Sequence, residues 1–184
     1  MKPRWSWPAS GLAGILLAQT LAGCGHAAEP SHPEVAVVDE ADILTPTAEA
    51  KLDQRLTKFW NDTGNAVVVV SVTSLKGETI EKYAFDLFNQ WGIGSSKDNR
   101  GLLVLVAPND RKVRIEVGCG LESVITNDEA AEVIAKDMIP EFKQGDMAGG
   151  TLAGVDALVE RLGETRKPGP PVSPICKAHM KEAA

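Results

Sequence analysis

Two apolar runs, Ala66-Val67-Val68-Val69-Val70-Ser71-Val72 and Leu102-Leu103-Val104-Leu105-Val106-Ala107, decide the fold. Neither alternates with polar residues, and a strand carrying one wet face would have to. Both runs therefore read as strands covered on two sides, the first of them central. Between them Ile80, Tyr83, Ala84, Leu87, Phe88 and Trp91 recur at spacings of three and four and stop at Gly92. That is the stripe of an amphipathic helix. A strand, helix and strand joined in this way predict a right-handed parallel crossover.

Working outward, Pro108-Asn109-Asp110 makes a turn into Val113, Ile115 and Val117, which alternate with Lys112, Arg114 and Glu116. Alternation marks a half-exposed antiparallel strand, and its place at the end of the series makes it an edge. Upstream, residues 34–38 form a short strand, and Thr45-Pro46 supplies a helix cap followed by proline at the first helical position. Leu52, Leu56, Phe59 and Trp60 give that helix its buried stripe, and Gly64 ends it. Downstream, Thr126 and Glu129 have capping-box spacing and open a helix that runs to about Met138, before Pro140. A last helix carries Ala148, Leu152, Val155, Val159 and Leu162. The result is an α/β domain with a parallel crossover and an antiparallel edge hairpin.

The amino terminus reads as an export signal. Lys2 and Arg4 precede an uncharged stretch over residues 11–21, long enough for the apolar region of a signal peptide and short for a bilayer span. Leu21-Ala22-Gly23-Cys24 resembles a bacterial lipobox, in which cleavage precedes the cysteine and lipid is attached to it. Residues 1–23 are then a lipoprotein-type signal peptide and Cys24 the lipidated first residue. Small residues before Ala27-Ala28 offer a second reading, cleavage by an ordinary signal peptidase that releases a soluble protein. Two or three acyl chains hold a small domain at a membrane, each buried methylene adding about 0.8 kcal/mol. Residues 24–33 make a tether, 34–163 the folded domain and 164–184, with Pro168-Gly169-Pro170-Pro171, a disordered tail.

Composition narrows the chemistry. The 184 residues carry a net charge of −6, and removing residues 1–23 with two basic groups leaves (19 − 2) − 25 = −8. So acidic a domain is a poor partner for nucleic acid and a plausible one for divalent cations. His26, His32 and His179 all lie in the flanks, so residues 34–163 contain no histidine. Ser-His-Asp, Cys-His and histidine-metal sites are thereby excluded from the domain. Neither Cys119 nor Cys176 has the paired spacing of a zinc site, but an oxidising compartment allows the two to bond if the tail folds back. Cysteine-phosphatase chemistry needs arginine six residues after Cys119, where Ile125 stands. Aspartyl-phosphate chemistry needs aspartate at position 41, which is alanine.

Two acidic edges remain. At the carboxyl ends of the parallel strands, Asp39, Asp42 and Asp110 could share oxygen-rich surroundings with Thr73, Ser74 and Asn109 and hold calcium or magnesium. Their ordinary structural roles compete with this, since Asp42 sits before a helix and Asp110 in a turn. At the opposite edge the hairpin brings residues 92–101 beside Gly118-Cys119-Gly120, where Asp98 and Asn99, with Glu122 and Asp128, offer a second cation site. There the glycines serve either a ligand or turns alone.

Several pieces recur together in a known family. Residues 39–44 (Asp-Glu-Ala-Asp-Ile-Leu), Trp91-Gly92-Ile93-Gly94, residues 98–103, residues 110–122 and Pro140-Glu141-Phe142 resemble, in order and spacing, the TPM domain. The likeness covers about residues 35–162. It implies a three-layer α/β/α sandwich on a central mixed sheet, usually exported and membrane-tethered, with divalent-cation binding in some members and acid phosphatase activity in a plant thylakoid branch. Family members usually place an aromatic residue between the glycines where this chain has Cys119, and many end in a transmembrane helix or glycine-rich tail. The expected function is a lipid-anchored extracytoplasmic module on the periplasmic side of a bacterial membrane. It would bind calcium or magnesium and assist an envelope or membrane complex, with Arg114 on the exposed edge strand as an interaction residue. A metal-dependent acid phosphatase and a passive cation buffer are the competing readings.

Overall fold

The computed structural model describes residues 35–94 and 98–164. The export signal, tether and tail read from the sequence lie outside them. Four strands form one sheet in the order β1 (Val37–Asp39), β2 (Ala66–Ser71), β3 (Gly101–Ala107), β4 (Lys112–Val117). β1, β2 and β3 run parallel, and β4 is antiparallel to β3 at the edge. Every residue of β3 is buried, as the unbroken apolar run requires.

Helices cover both faces. On one, α1 (Pro46–Thr63), α3 (Asn127–Val133) and α5 (Met147–Glu164) pack Leu52, Leu56, Val133, Leu158 and Leu162 against Val67, Val69, Leu102, Val104 and Ile115. On the other, α2 (Ile80–Gln90) alone sets Tyr83, Ala84, Leu87 and Phe88 over Val70, Leu103 and Leu105. The chain is thus the three-layer sandwich that the family resemblance implied.

This arrangement has a topological cost. From β1 to β2 and from β2 to β3 the chain advances the same way across the sheet, yet α1 and α2 lie on opposite faces. Two such crossovers must have opposite hands. One of the two therefore departs from the usual right-handed connection. β1 pairs with β2 over only three residues.

Caps set the helix starts. Thr45, Thr79 and Thr126 each accept a bond from the backbone N–H three residues on. At Thr126 the capping box is complete: its N–H and hydroxyl donate to Glu129 Oε2 at 2.7 and 2.9 Å, and Glu129 N–H returns to its hydroxyl at 3.2 Å.

Two helices differ from their sequence reading. The helix from Asn127 does not stop before Pro140; it passes through a π turn (Ile134–Met138) into α4 (Ile139–Lys143). Ile139 N–H bonds to Ile134 O, five residues back, and the widened turn relieves the carbonyl that the proline ring would otherwise strike. In α5 the buried seam is Gly150, Thr151, Gly154, Val155, Leu158 and Leu162, while Ala148, Leu152 and Val159 are half-buried. A Cβ on Gly150 would meet the Phe142 ring and one on Gly154 would meet Met138. Glycine lets α5 close on the π turn, so the seam rotates toward the small residues.

Leu105→Ala is expected to lower stability by about 2–5 kcal/mol in urea denaturation. Phe85→Ala, at a side chain 58% exposed, should change it by no more than about 0.5 kcal/mol. The Thr126 N–H, and after it the Thr126 hydroxyl, hold the Glu129 carboxyl below its ordinary pKa. A lowered folded pKa contributes stability above the unfolded value of about 4.3 that is lost as pH falls through the folded one. The penalty of Glu129→Ala, measured by thermal melts, should therefore shrink below about pH 4.

Candidate functional site

The carboxyl edge of the parallel strands has the geometry of a crevice, because the chain leaves β1 toward one face and β2 toward the other. Asp39 ends β1 beside Ser71, which ends β2. Its Oδ1 accepts from Ile43 N–H at 3.1 Å and from the Ser71 hydroxyl; Oδ2 accepts from Leu44 N–H at 2.7 Å. Ser71 Oγ in turn accepts from Ala41 N–H at 2.9 Å. Three of the roughly four lone-pair positions of the carboxylate are taken by protein donors. The donors Ala41, Ile43 and Leu44 all belong to the loop that leads into α1.

Asp110 belongs to the other face. Its Oδ2 accepts from Leu75 N–H at 3.1 Å, and Asn109 Nδ2 donates to Thr73 O at 2.8 Å. Together they pin the β3–β4 turn to the loop that leads into α2. Asp42 is exposed in a left-handed turn conformation at φ 51°. The three aspartates thus share an edge, with Asp39 serving one loop and Asp110 the opposite one. Among the described residues no three of His, Cys, Asp and Glu are grouped so as to hold a metal ion.

At the other edge the glycines join chain segments. Gly118 N–H bonds to Gly101 O at 2.8 Å, Gly120 N–H to Asn99 O and Arg100 N–H to Gly94 O, both at 2.9 Å. A Cβ on Gly118 would strike Asn99 O, and one on Gly120 would strike Asp98 O. Those two carbonyls face protein. Asn99 has φ 44°, Asp98 is exposed, and Glu122 and Asp128 are exposed beyond the hairpin, Asp128 in the first turn of α3. Cys119, between the two glycines, is disulfide-bonded. The other cysteines of the chain, Cys24 and Cys176, are both outside the described residues.

Arg114 sits on the α2 face of β4, its Nη2 and Nε at 2.8 and 3.0 Å from Glu116 Oε2. The bond from Gly118 to Gly101 fixes which way the β4 backbone faces. Leu103 with Glu116, Leu105 with Arg114 and Ala107 with Lys112 exchange the ladder bonds, so the N–H and C=O groups of Val113, Ile115 and Val117 point to the open edge.

Two polar pairs escaped the sequence reading. Ser71 ends a valine run in register with Asp39, a pairing visible only once β1 and β2 are aligned. Asn65, 2% exposed, accepts from Arg100 Nε at 2.8 Å and ties the starts of β2 and β3 together. An asparagine wedged between Gly64 and an apolar run was the available signal.

Asp39→Ala should lower stability by about 2–4 kcal/mol, since three donors lose a charged acceptor. The loss should be the same in chelator as in excess calcium, as read by urea titration. A loss that appears only with calcium would restore Asp39 as a ligand.

Among curated proteins none matches this chain. Solved structures share its fold, among them the following three. The N-terminal domain of a protein from P. gingivalis is 32% identical, with a TM-score of 0.66 over 71% of this chain and 83% of that one. The N-terminal domain of the cg2496 protein from Corynebacterium glutamicum is 19% identical, with a TM-score of 0.55 over 80% and 90%. The BA42 protein from the psychrophilic Bizionia argentinensis is likewise 19% identical, with a TM-score of 0.59 over 72% and 90%. The TPM domain matches residues 37–161, the whole of the sheet and all of its covering helices but the end of α5, and the chain belongs to the TPM domain family.

Proposed function

We propose that this TPM domain is a docking module exported to the periplasmic side of a bacterial membrane. Acyl chains on Cys24 hold it there, and the open edge of β4 accepts an extended segment of an envelope or membrane protein complex. The observation that carries the reading is the outward row of backbone groups on Val113, Ile115 and Val117. An added strand would satisfy those groups by main-chain bonding, with alternate side chains supplying selectivity. The edge presents apolar Val113 and Val117, half-buried, toward one face and Lys112 and Arg114 toward the other. Lysine on an edge discourages indiscriminate pairing, which leaves room for a partner whose side chains complement the cations.

Calcium or magnesium binding and phosphate-ester hydrolysis have less behind them. Asp39 is committed to backbone donors and Asp110 to the α2 loop. Turnover of a phosphate ester by the purified chain, lost on adding chelator, would revive the enzymatic reading.

A photo-crosslinking residue at Arg114 is expected to capture a discrete envelope protein in cells, and Val113→Pro to abolish the capture. Proline at 113 removes an outward N–H and leaves the β3–β4 ladder intact, so the fold should survive, as a far-UV melt can verify. Capture unchanged by Val113→Pro, or no adduct at all, would overturn strand addition.

A further inference from the structure

We propose that the open edge of β4 pairs antiparallel with β4 of a second copy of this chain, about a two-fold axis at Ile115. The inference deepens the docking reading and rests on it only in taking this edge as the binding surface. Among the described residues nothing bonds the outward backbone groups of Val113, Ile115 and Val117. In an antiparallel pair such groups meet groups of the same kind on the other strand, so odd-numbered positions face odd-numbered ones. Several registers satisfy that, and the charges choose between them. With Ile115 opposite Ile115, Val113 lies opposite Val117 and Arg114 opposite Glu116. Slipping two residues one way sets Arg114 against Arg114, and slipping the other way sets Glu116 against Glu116. Like charges directly opposite are destabilising, which leaves the first register.

That register is self-complementary, as a two-fold contact requires. Within one chain Arg114 Nε and Nη2 already donate to Glu116 Oε2 at 3.0 and 2.8 Å, and the Glu116 side chain is only 16% exposed, so the two charges are held in place on the edge. Pairing brings the same two side chains of the second copy alongside at non-hydrogen-bonded positions, where Cα atoms approach to about 4.5 Å. The four charges then alternate around the axis, each arginine between two glutamates. Lys112 lies diagonal to Glu116 of the second copy, a further attraction. On the other face half-buried Val113 and Val117 cover each other. The pairing also regulates the edge. A segment of an envelope protein reaches these backbone groups only after the second copy has left, since both use the same main-chain bonds.

The purified full chain in detergent is followed by sedimentation and amide exchange between about 1 μM and about 1 mM. As dimer forms, the N–H groups of Val113, Ile115 and Val117 are expected to gain protection on the order of tenfold or more, while those of Arg114 and Glu116, bonded to β3 within one copy, stay protected throughout. A chain that stays monomeric over the range, a dimer that leaves those three amides open, or a dimer that a non-reducing gel shows to be covalent overturns the proposal. Charge variants give the second readout. Arg114→Glu and Glu116→Arg should each be monomeric alone and should dimerise when mixed, since one copy then carries two acids and the other two bases. Arg114 and Glu116 acting only within each chain predict no recovery on mixing, and that result overturns the register. Far-UV melts check that the variants fold; where one does not, the amide measurement decides. In cells, a photo-crosslinking residue at Lys112 leaves Arg114 and Glu116 in place. Its adduct of two chains marks self-pairing and its adduct with an envelope protein marks docking, so either reading can fail while the other stands.

Discussion

β3 must be dry on both sides, and most of the molecule follows from that. Its seven residues are all buried, so no face of the sheet can be left to water at its centre. One helix layer is built from α1, α3 and α5 and the other from α2, which sends the chain out of β1 and out of β2 in opposite directions. The mixed handedness of the two crossovers is a consequence.

The same divergence explains the fate of the acidic edge. Where neighbouring strands release their loops to opposite faces, α/β proteins usually open a crevice for a ligand. Here that place is filled by the protein. Asp39 and Ser71 gather the N–H groups of Ala41, Ile43 and Leu44, and Asp110 gathers that of Leu75 on the other side. Asp39 and Asp110 act as local staples for two different loops. Carboxylates bonded to backbone donors are poor cation ligands, since a metal would have to displace bonds already made. At the edge strand, by contrast, the backbone groups of Val113, Ile115 and Val117 are unbonded within the sheet.

Much of this was legible in the chain. Strand positions, the Thr45 and Thr126 caps and the edge character of β4 came from periodicity and capping chemistry, which depend on near neighbours. The helix through Pro140 and the rotated seam of α5 did not, because each depends on a contact with another helix. A sequence pattern counts Ala148, Leu152 and Val159 as a stripe. It does not register that Gly150 and Gly154 allow a closer approach to Met138 and Phe142. The site was legible as a list of acids on one edge and illegible as an arrangement.

The amino-acid sequence by itself determined that this is an α/β domain without imidazole, with a strand series whose last member is exposed, because hydropathy and residue type act locally. Tertiary structure decided which donors meet which carboxylates, since Asp39 and Ser71, or Asp110 and Leu75, are distant in the chain and become partners only when the strands are in register. It also decided that the glycines around Cys119 serve contact between segments. A Cβ there is refused by backbone atoms that fold in from elsewhere.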